Sequence, residues 1–309
     1  MNNTPGSGRK ITYRYNKLSR NALVSEALES FPGITRVISV RNQAEAMINN
    51  IKNDRTQVGE DSADRFFAAG QIDKDWLESL TRQALIEAGT EYKIQQLGVL
   101  IDSADTELEE EIIDSVDDIL SFLNAKLSEV LAPLSDAATR LEGIDSPTEA
   151  IQNGVADAWS VFVDAAEKYE QLLEAQDIVR SVDPEMFVST QSRNTDDPRA
   201  NTSRIKNIDD IWPTWSAQPP FNSLIEEFVP YPAPWPTGGA EFLLWAVRDA
   251  GVDLWVPTAS ELAAQAQDRS NWINAEVSRL ARLGDDAVRA EIVSGAVHPA
   301  VQSRIDGWL

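Results

Sequence analysis

The feature that most constrains this chain is an acidic run with helical periodicity, from about Asp73 to Val182. Between Leu97 and Leu131, apolar side chains fall at Leu97, Ile101, Ala104, Leu108, Ile112, Val116, Ile119, Leu123, Leu127 and Val130. The steps are threes and fours with a mean near 3.7, which places them on one face of a helix. The other faces carry acids, including Asp102, Asp105, Glu107, Glu109, Glu110, Glu111, Asp114, Asp117 and Asp118. A helix with one apolar stripe has to bury it against a partner. The period is longer than a heptad repeat sustains, so a regular left-handed coiled coil is disfavoured for this stripe.

A second stripe follows at Ile151, Val155, Trp159, Phe162, Ala166, Tyr169, Leu173 and Gln176. Ser146, Pro147 and Glu149 form a helix-start signature ahead of it, and Pro133 should break or kink the helix upstream. Two long helices with a joint containing Gly143 are expected to fold back on one another as a hairpin or bundle. Residues 71–190 hold 27 Asp or Glu against seven Lys or Arg, a net charge of −20 out of −23 for the whole chain. The plain reading is a solvated helix face; a cation site or a basic partner are the functional ones. The run lacks the Asp-rich loop with a central glycine of an EF-hand and has no Glu-x-x-His pair for a carboxylate-bridged di-metal bundle.

The expected fold class is mainly α: an acidic long-helix hairpin or bundle over 61–185, preceded by a small N-terminal α/β unit over 21–60 and a basic arm over 1–20. A Pro- and Trp-rich extended segment over 186–238 leads to a C-terminal region of short helices over 239–309. Residues 1–20 hold five basic residues, Arg9, Lys10, Arg14, Lys17 and Arg20, and no acid. Ile11, Tyr13 and Tyr15 alternate with polar residues and predict a short strand. The arm has three readings: docking on an acidic partner such as another copy's acidic bundle, binding nucleic acid with Tyr13 and Tyr15 as stacking groups, or a solvated edge strand. ITRVISV at 34–40 predicts a second strand, with a short helix before it ended by Pro32-Gly33 and a helix from Asn42 to Ile51 after it. Residues 53–60 read as a linker. Helices are expected from Asp61 to Gly70 and from about Asp73, the latter with Trp76, Leu77, Leu80 and Ala84 inward and Gly89 as a cap.

Between Pro198 and Pro236 lie eight of the chain's 15 prolines, interleaved with Trp212, Trp215 and Trp235. Such a segment cannot be a regular helix or a central strand, so it is expected to wrap along a surface and pin itself with aromatics. The tryptophans are candidate partner-binding residues, as anchors to the chain's own core, as a subunit interface, or as a platform for a glycan or peptide. Further on, a helix opens at Gly238-Gly239 and closes near Gly251. VDLWV at 252–256 predicts a short strand, and Thr258 to Glu261 a capping box opening the next helix.

With no cysteine, thiolate metal sites, disulfides and Cys nucleophiles are excluded. The single histidine, His298, has no nucleophile elbow to serve, and no phosphate-binding glycine loop occurs. No cofactor is expected. Nothing approaches the roughly 18 apolar residues of a membrane span, and no apolar signal segment follows the first residues, so the expectation is synthesis and residence in a cytoplasm or a virion. Eight Lys against 19 Arg with a pI near 4.4 fits either adaptation to concentrated salt or GC-rich coding. A body this acidic repels phosphate backbones. The leading expectation is a non-enzymatic structural subunit of a large assembly, a shell, connector or tail protein of a virion, whose partners are copies of itself and other subunits. A binding module that uses the Trp-rich segment is the alternative, and a carboxylate-based hydrolase the third.

Overall fold

The computed structural model describes residues 12–69, 74–182, 204–213, 215, 233–283 and 285–305, with the side chains of 54–69, 75, 76, 79, 80, 285 and 303 outside that description, so that Trp76 and Leu80, expected inward, fall outside it. The chain divides into two compact units, Met1–Ser115 and Val116–Leu309. The break lies inside the acidic run, where Ser115 interrupts the helix and turns its hydroxyl onto the Glu111 carbonyl at 2.6 Å.

The first unit holds four helices: α1 (Tyr13–Leu18), α2 (Ala22–Ser30), α3 (Pro32–Ala69) and α4 (Lys74–Asp114). Thr12 caps α1 through the Tyr15 amide, and the Asn21 side chain accepts from the Leu23 and Val24 amides at the start of α2. Helices α3 and α4 pair where residues 33–51 meet residues 92–111. Gly33 lies against Glu111, Arg36 against Glu107 and Arg41 against Asp105, while Met47 and Ile51 share a groove with Tyr92 and Gln96. Numbers that rise along α3 meet numbers that fall along α4, so the pair is an antiparallel hairpin. At 38 and 41 residues its arms are on the order of 60 Å long.

This hairpin corrects the expected α/β unit. Among the described residues there is no strand in 12–60: Tyr13 and Tyr15 lie in α1, and ITRVISV lies inside α3. The β-branched residues suggested a strand, but Ile34, Val37, Arg41 and Ala44, spaced by three and four, are all buried on α4. A continuous helical stripe with a long partner outweighs a weak local propensity, and two strands would have had no sheet to join. Pro32 opens α3, where a missing amide costs nothing. The stretch 53–60 is helix and not linker, and Gly89 sits within α4 rather than capping it. Leu77 and Ala84, expected inward, are exposed.

In the second unit α5 (Val116–Leu131) and α6 (Leu134–Arg140) pack against α8 (Ala156–Arg180). The α5 stripe is buried as expected, from Val116 through Ile119 and Leu123 to Leu127. Ser146 and Pro147 do start a helix, but only the six residues of α7 (Pro147–Gln152); Gly154, at φ +72°, separates it from α8 and leaves Ile151 69% exposed. The long α8 then buries Trp159, Phe162, Ala166, Tyr169 and Gln176. After α9 (Ile208–Ile211) come α10 (Gly239–Leu244), a π-helical turn over Trp245–Ala250 and α11 (Ala259–Leu280), which opens on the expected Thr258/Glu261 capping box. The predicted strand at 252–256 is a single antiparallel bridge between Leu254 and Ile205. Helices α12 (Asp285–Val293) and α13 (Pro299–Ile305) close a small core of Leu280, Val288, Val297, Val301 and Ile305 with α11.

Asp117, read as solvent-facing, has structural work, and so does Asn124 two turns further along α5. On α5, Asp117 accepts from the Ala259 amide at 2.8 Å and from the Ser260 hydroxyl, and Asn124 accepts from the Val256 amide at 2.9 Å. The carboxylate therefore sits at the positive N-terminus of α11. Arg248, on the π-helical turn, donates to the Leu141 and Ile144 carbonyls, both at 3.0 Å, and to Asp145. It ties the end of α6 to the turn that follows, where the Leu141 carbonyl also accepts from the Ile144 amide at 3.0 Å.

Two stability effects are expected. Arg41→Leu leaves Asp105 and Glu45 without their cation and should cost about 2–3 kcal/mol in urea unfolding, whereas Arg36→Leu, an exposed pair, should cost under about 1 kcal/mol. Asp117→Ala should cost about 1–2 kcal/mol through the lost cap of α11, read by the same denaturation curves.

Candidate functional site

The residues proposed from sequence fall in two places. Of the basic set, Arg9 and Lys10 lie outside the described residues. Arg14 is on α1, which packs on α4 within the same unit, and its Nη1 is 2.8 Å from Glu109 Oε2. Lys17 is half-buried and Arg20 exposed. Tyr15, beside them, has its phenol pKa raised by burial and then by Glu29.

Arg14 begins a ladder that the sequence reading missed. Arg36 Nη2 meets Glu107 Oε1 at 2.8 Å, and Arg41 Nε meets Asp105 Oδ1 at 2.8 Å. Arg41 Nη1 also reaches Glu45, one turn along α3, at 3.0 Å. Arg41 is 1% exposed and sits among the apolar side chains of α3. A guanidinium there is tolerated because its planar donors meet two carboxylates at once. The signal was present in the spacing: a charged residue fell on the apolar stripe at 34, 37, 41 and 44.

The tryptophans form the second cluster. Trp212 and Trp215 are buried, at 7% and 6% exposure, and Trp235 is half-buried. The Trp212 and Trp235 rings meet edge to face at 5.3 Å. Trp235 also lies 6.4 Å from Phe242 and 6.2 Å from Trp245, and Phe242 stacks on Tyr169 of α8 at 6.2 Å. A Cβ on Gly239 would stand 3.2 Å from that of Ala166, so α10 crosses α8 at close range with the ring cluster beside it.

Trp215 has a different partner. Its Nε1 donates to Asp209 Oδ1 at 2.9 Å, and the Arg269 guanidinium of α11 lies over its ring at 4.0 Å. Arg269 Nη2 is also 2.8 Å from Asp209 Oδ1. Burial lowers the Arg269 pKa and Asp209 works the other way, so ring and carboxylate share one cation. The arrangement ties α9 to α11. Arg269 covers one face of the Trp215 ring, while Trp212 and Trp235 meet edge to face.

Arg269 keeps its buried Nε without a hydrogen-bond partner among the described residues, and Tyr169 is in the same position. Its side chain is buried, and its hydroxyl has no hydrogen-bond partner among the described residues. Burial pushes its pKa up to about 12, with Arg204 opposing. His298, by contrast, is accounted for: its Nδ1 accepts from the Ala300 amide at the start of α13, and its ring packs on Trp272. Among the described residues no group of three or more His, Asp or Glu is placed to hold a metal ion, and no helix is long and apolar enough to cross a membrane.

Comparison with family models, with curated proteins and with solved structures finds no match.

The expected behaviour of Tyr169 can be read directly. An unfolded phenol ionises near pH 10 while the folded one holds its proton to about 12, so the unfolded state binds fewer protons over that window and stability falls as pH rises through it. In an absorbance titration at alkaline pH, one tyrosine should ionise later than the others, and Tyr169→Phe should remove that late step. The same variant should hold or raise stability by about 1 kcal/mol, since it deletes a buried hydroxyl that has no partner.

Proposed function

We propose that the chain is a structural, non-enzymatic subunit of a large assembly, a shell, connector or tail component of a virion, which joins copies of itself or other subunits through its helices. The observation that carries this reading is the α3/α4 hairpin. Its arms are long, and α4 shows large apolar side chains to solvent: Leu77 at 54%, Leu85 at 70%, Ile86 at 61%, Tyr92 at 63% and Val99 at 54%. A helix that is apolar on a buried face and again on an exposed one carries surface suited to a partner. The basic arm supports the reading in altered form. Arg14 docks on the acidic α4 of its own unit, which is the contact type that an arm exchanged between subunits would make. The virion assignment itself rests on analogy with proteins built from arms, long hairpins and wrapping segments.

The binding-module alternative receives less support, because Trp212 and Trp215 are used up in the chain's own packing.

Light scattering on the purified chain, at low and at molar salt, decides the reading. The expected result is a defined multiple of 34.1 kDa in at least one condition. A 34.1 kDa monomer in both would overturn it.

A further inference from the structure

We infer that the outward face of α4, together with the adjoining flank of α3, is a self-pairing seam on which a second copy of this chain seats its own α3/α4 hairpin. The inference rests on the assembly reading and names the surface that would serve it.

Helix α4 carries two apolar stripes. Ile101, Ala104, Leu108 and Ile112 are buried in the first unit. Leu85, Tyr92 and Val99 are spaced by seven and lie on a face that, at about 100° per residue, is turned away from the buried one. With Ala88 and Gln95 between them, the steps alternate three and four, a mean of 3.5. That spacing suits a helix lying along another helix, and it differs from the longer period of the buried stripe.

Charge points to the same face. From Leu85 to Val99 the positions of this stripe are all uncharged; Glu87 lies on another face, Glu91 borders the stripe, and Asp102, three residues beyond Val99, ends it. Two chains of −23 each repel wherever acids face acids, so they approach at least cost along an uncharged sector. On the side where α3 adjoins it, Met47 and Ile51 meet Tyr92 and Gln96 across an apolar groove of about 480 Å³. Val40 lies two turns from Met47 on that flank.

The area is sufficient. Val40, Met47, Leu85, Tyr92, Val99 and Leu100 are between 39% and 70% exposed. Together they leave roughly 600 Å² of side-chain surface in water, at the upper end of what a monomer shows. With the neutral residues between them the face approaches the roughly 800 Å² that one partner contributes to a standard interface.

The test uses the full chain. A variant carrying Leu85→Glu, Tyr92→Glu and Val99→Glu places three carboxylates on the seam at positions already exposed, with Glu87→Gln as the control on another face. Circular dichroism confirms that both keep their helix content. The expected result is that the wild-type and control masses agree, while the triple variant falls to half that mass or to 34.1 kDa. Because the chain has no cysteine, Tyr92→Cys and Val99→Cys can also carry single spin labels. Label pairs at one or both sites should lie within about 20 Å, the width of two packed helices. An assembled wild type whose mass the triple variant leaves unchanged, with no short label distance at either site, overturns the seam and leaves the assembly reading standing. A wild-type monomer at both salts defeats the assembly reading itself.

Discussion

The first unit depends on one buried cation. Arg41 stands in the apolar stripe of α3 and meets Asp105 of α4, and no shift of one helix along the other keeps that contact. Apolar side chains tolerate sliding by a turn, because leucine packs on leucine in several registers. A guanidinium among them does not, since losing its carboxylates leaves an uncompensated buried charge. The pair therefore adds specificity to the hairpin more than net stability. Arg36 and Arg14 extend the same match of basic residues to α4 acids, with more exposure and smaller effect.

How far the sequence revealed the fold depended on the kind of signal. The apolar stripe from Leu97 to Leu127 and the Thr258/Glu261 capping box were legible because each depends on local spacing, but the stripe read as one helix is two, α4 and α5, broken at Ser115 between the units. The mainly helical class followed from the same patterns. The partner of α4 was not legible. The stripe at Trp159–Gln176 looked like its mate, yet α8 pairs with α5 in the second unit, and α4 pairs with a segment read as strand and linker. Local β-propensity at 34–40 concealed a helical stripe whose decisive member, Arg41, is charged and so drops out of any apolar count. Gly154 was likewise underweighted: one left-handed residue separates α7 from α8 and leaves Ile151 in water.

The candidate functional residues show the same limit. Composition singled out the tryptophans, and Trp212 and Trp215 are buried in the chain's own packing. Trp235, Phe242 and Trp245 hold the chain beside α8, and Trp215 shares Arg269 with Asp209. Whether a ring faces its own core or a ligand is decided by residues far away in the sequence, such as Tyr169 and Arg269, which no local pattern links to it. The acids were also more than a solvated coat: Asp117 closes the start of α11, and Asp105 locks α3.

The graded exposure of the arginine ladder has a consequence for the solvent the protein can work in. At molar ionic strength charges in water are screened beyond about 3 Å. The Arg36–Glu107 rung, open to ions on both sides, fades there, and Arg14–Glu109 weakens with it. The Arg41–Asp105 contact is closed to counterions at the arginine and keeps its strength. A hairpin whose register is held by its one shielded rung keeps the same alignment in dilute buffer and in brine, while salt removes the repulsion among the acids around it.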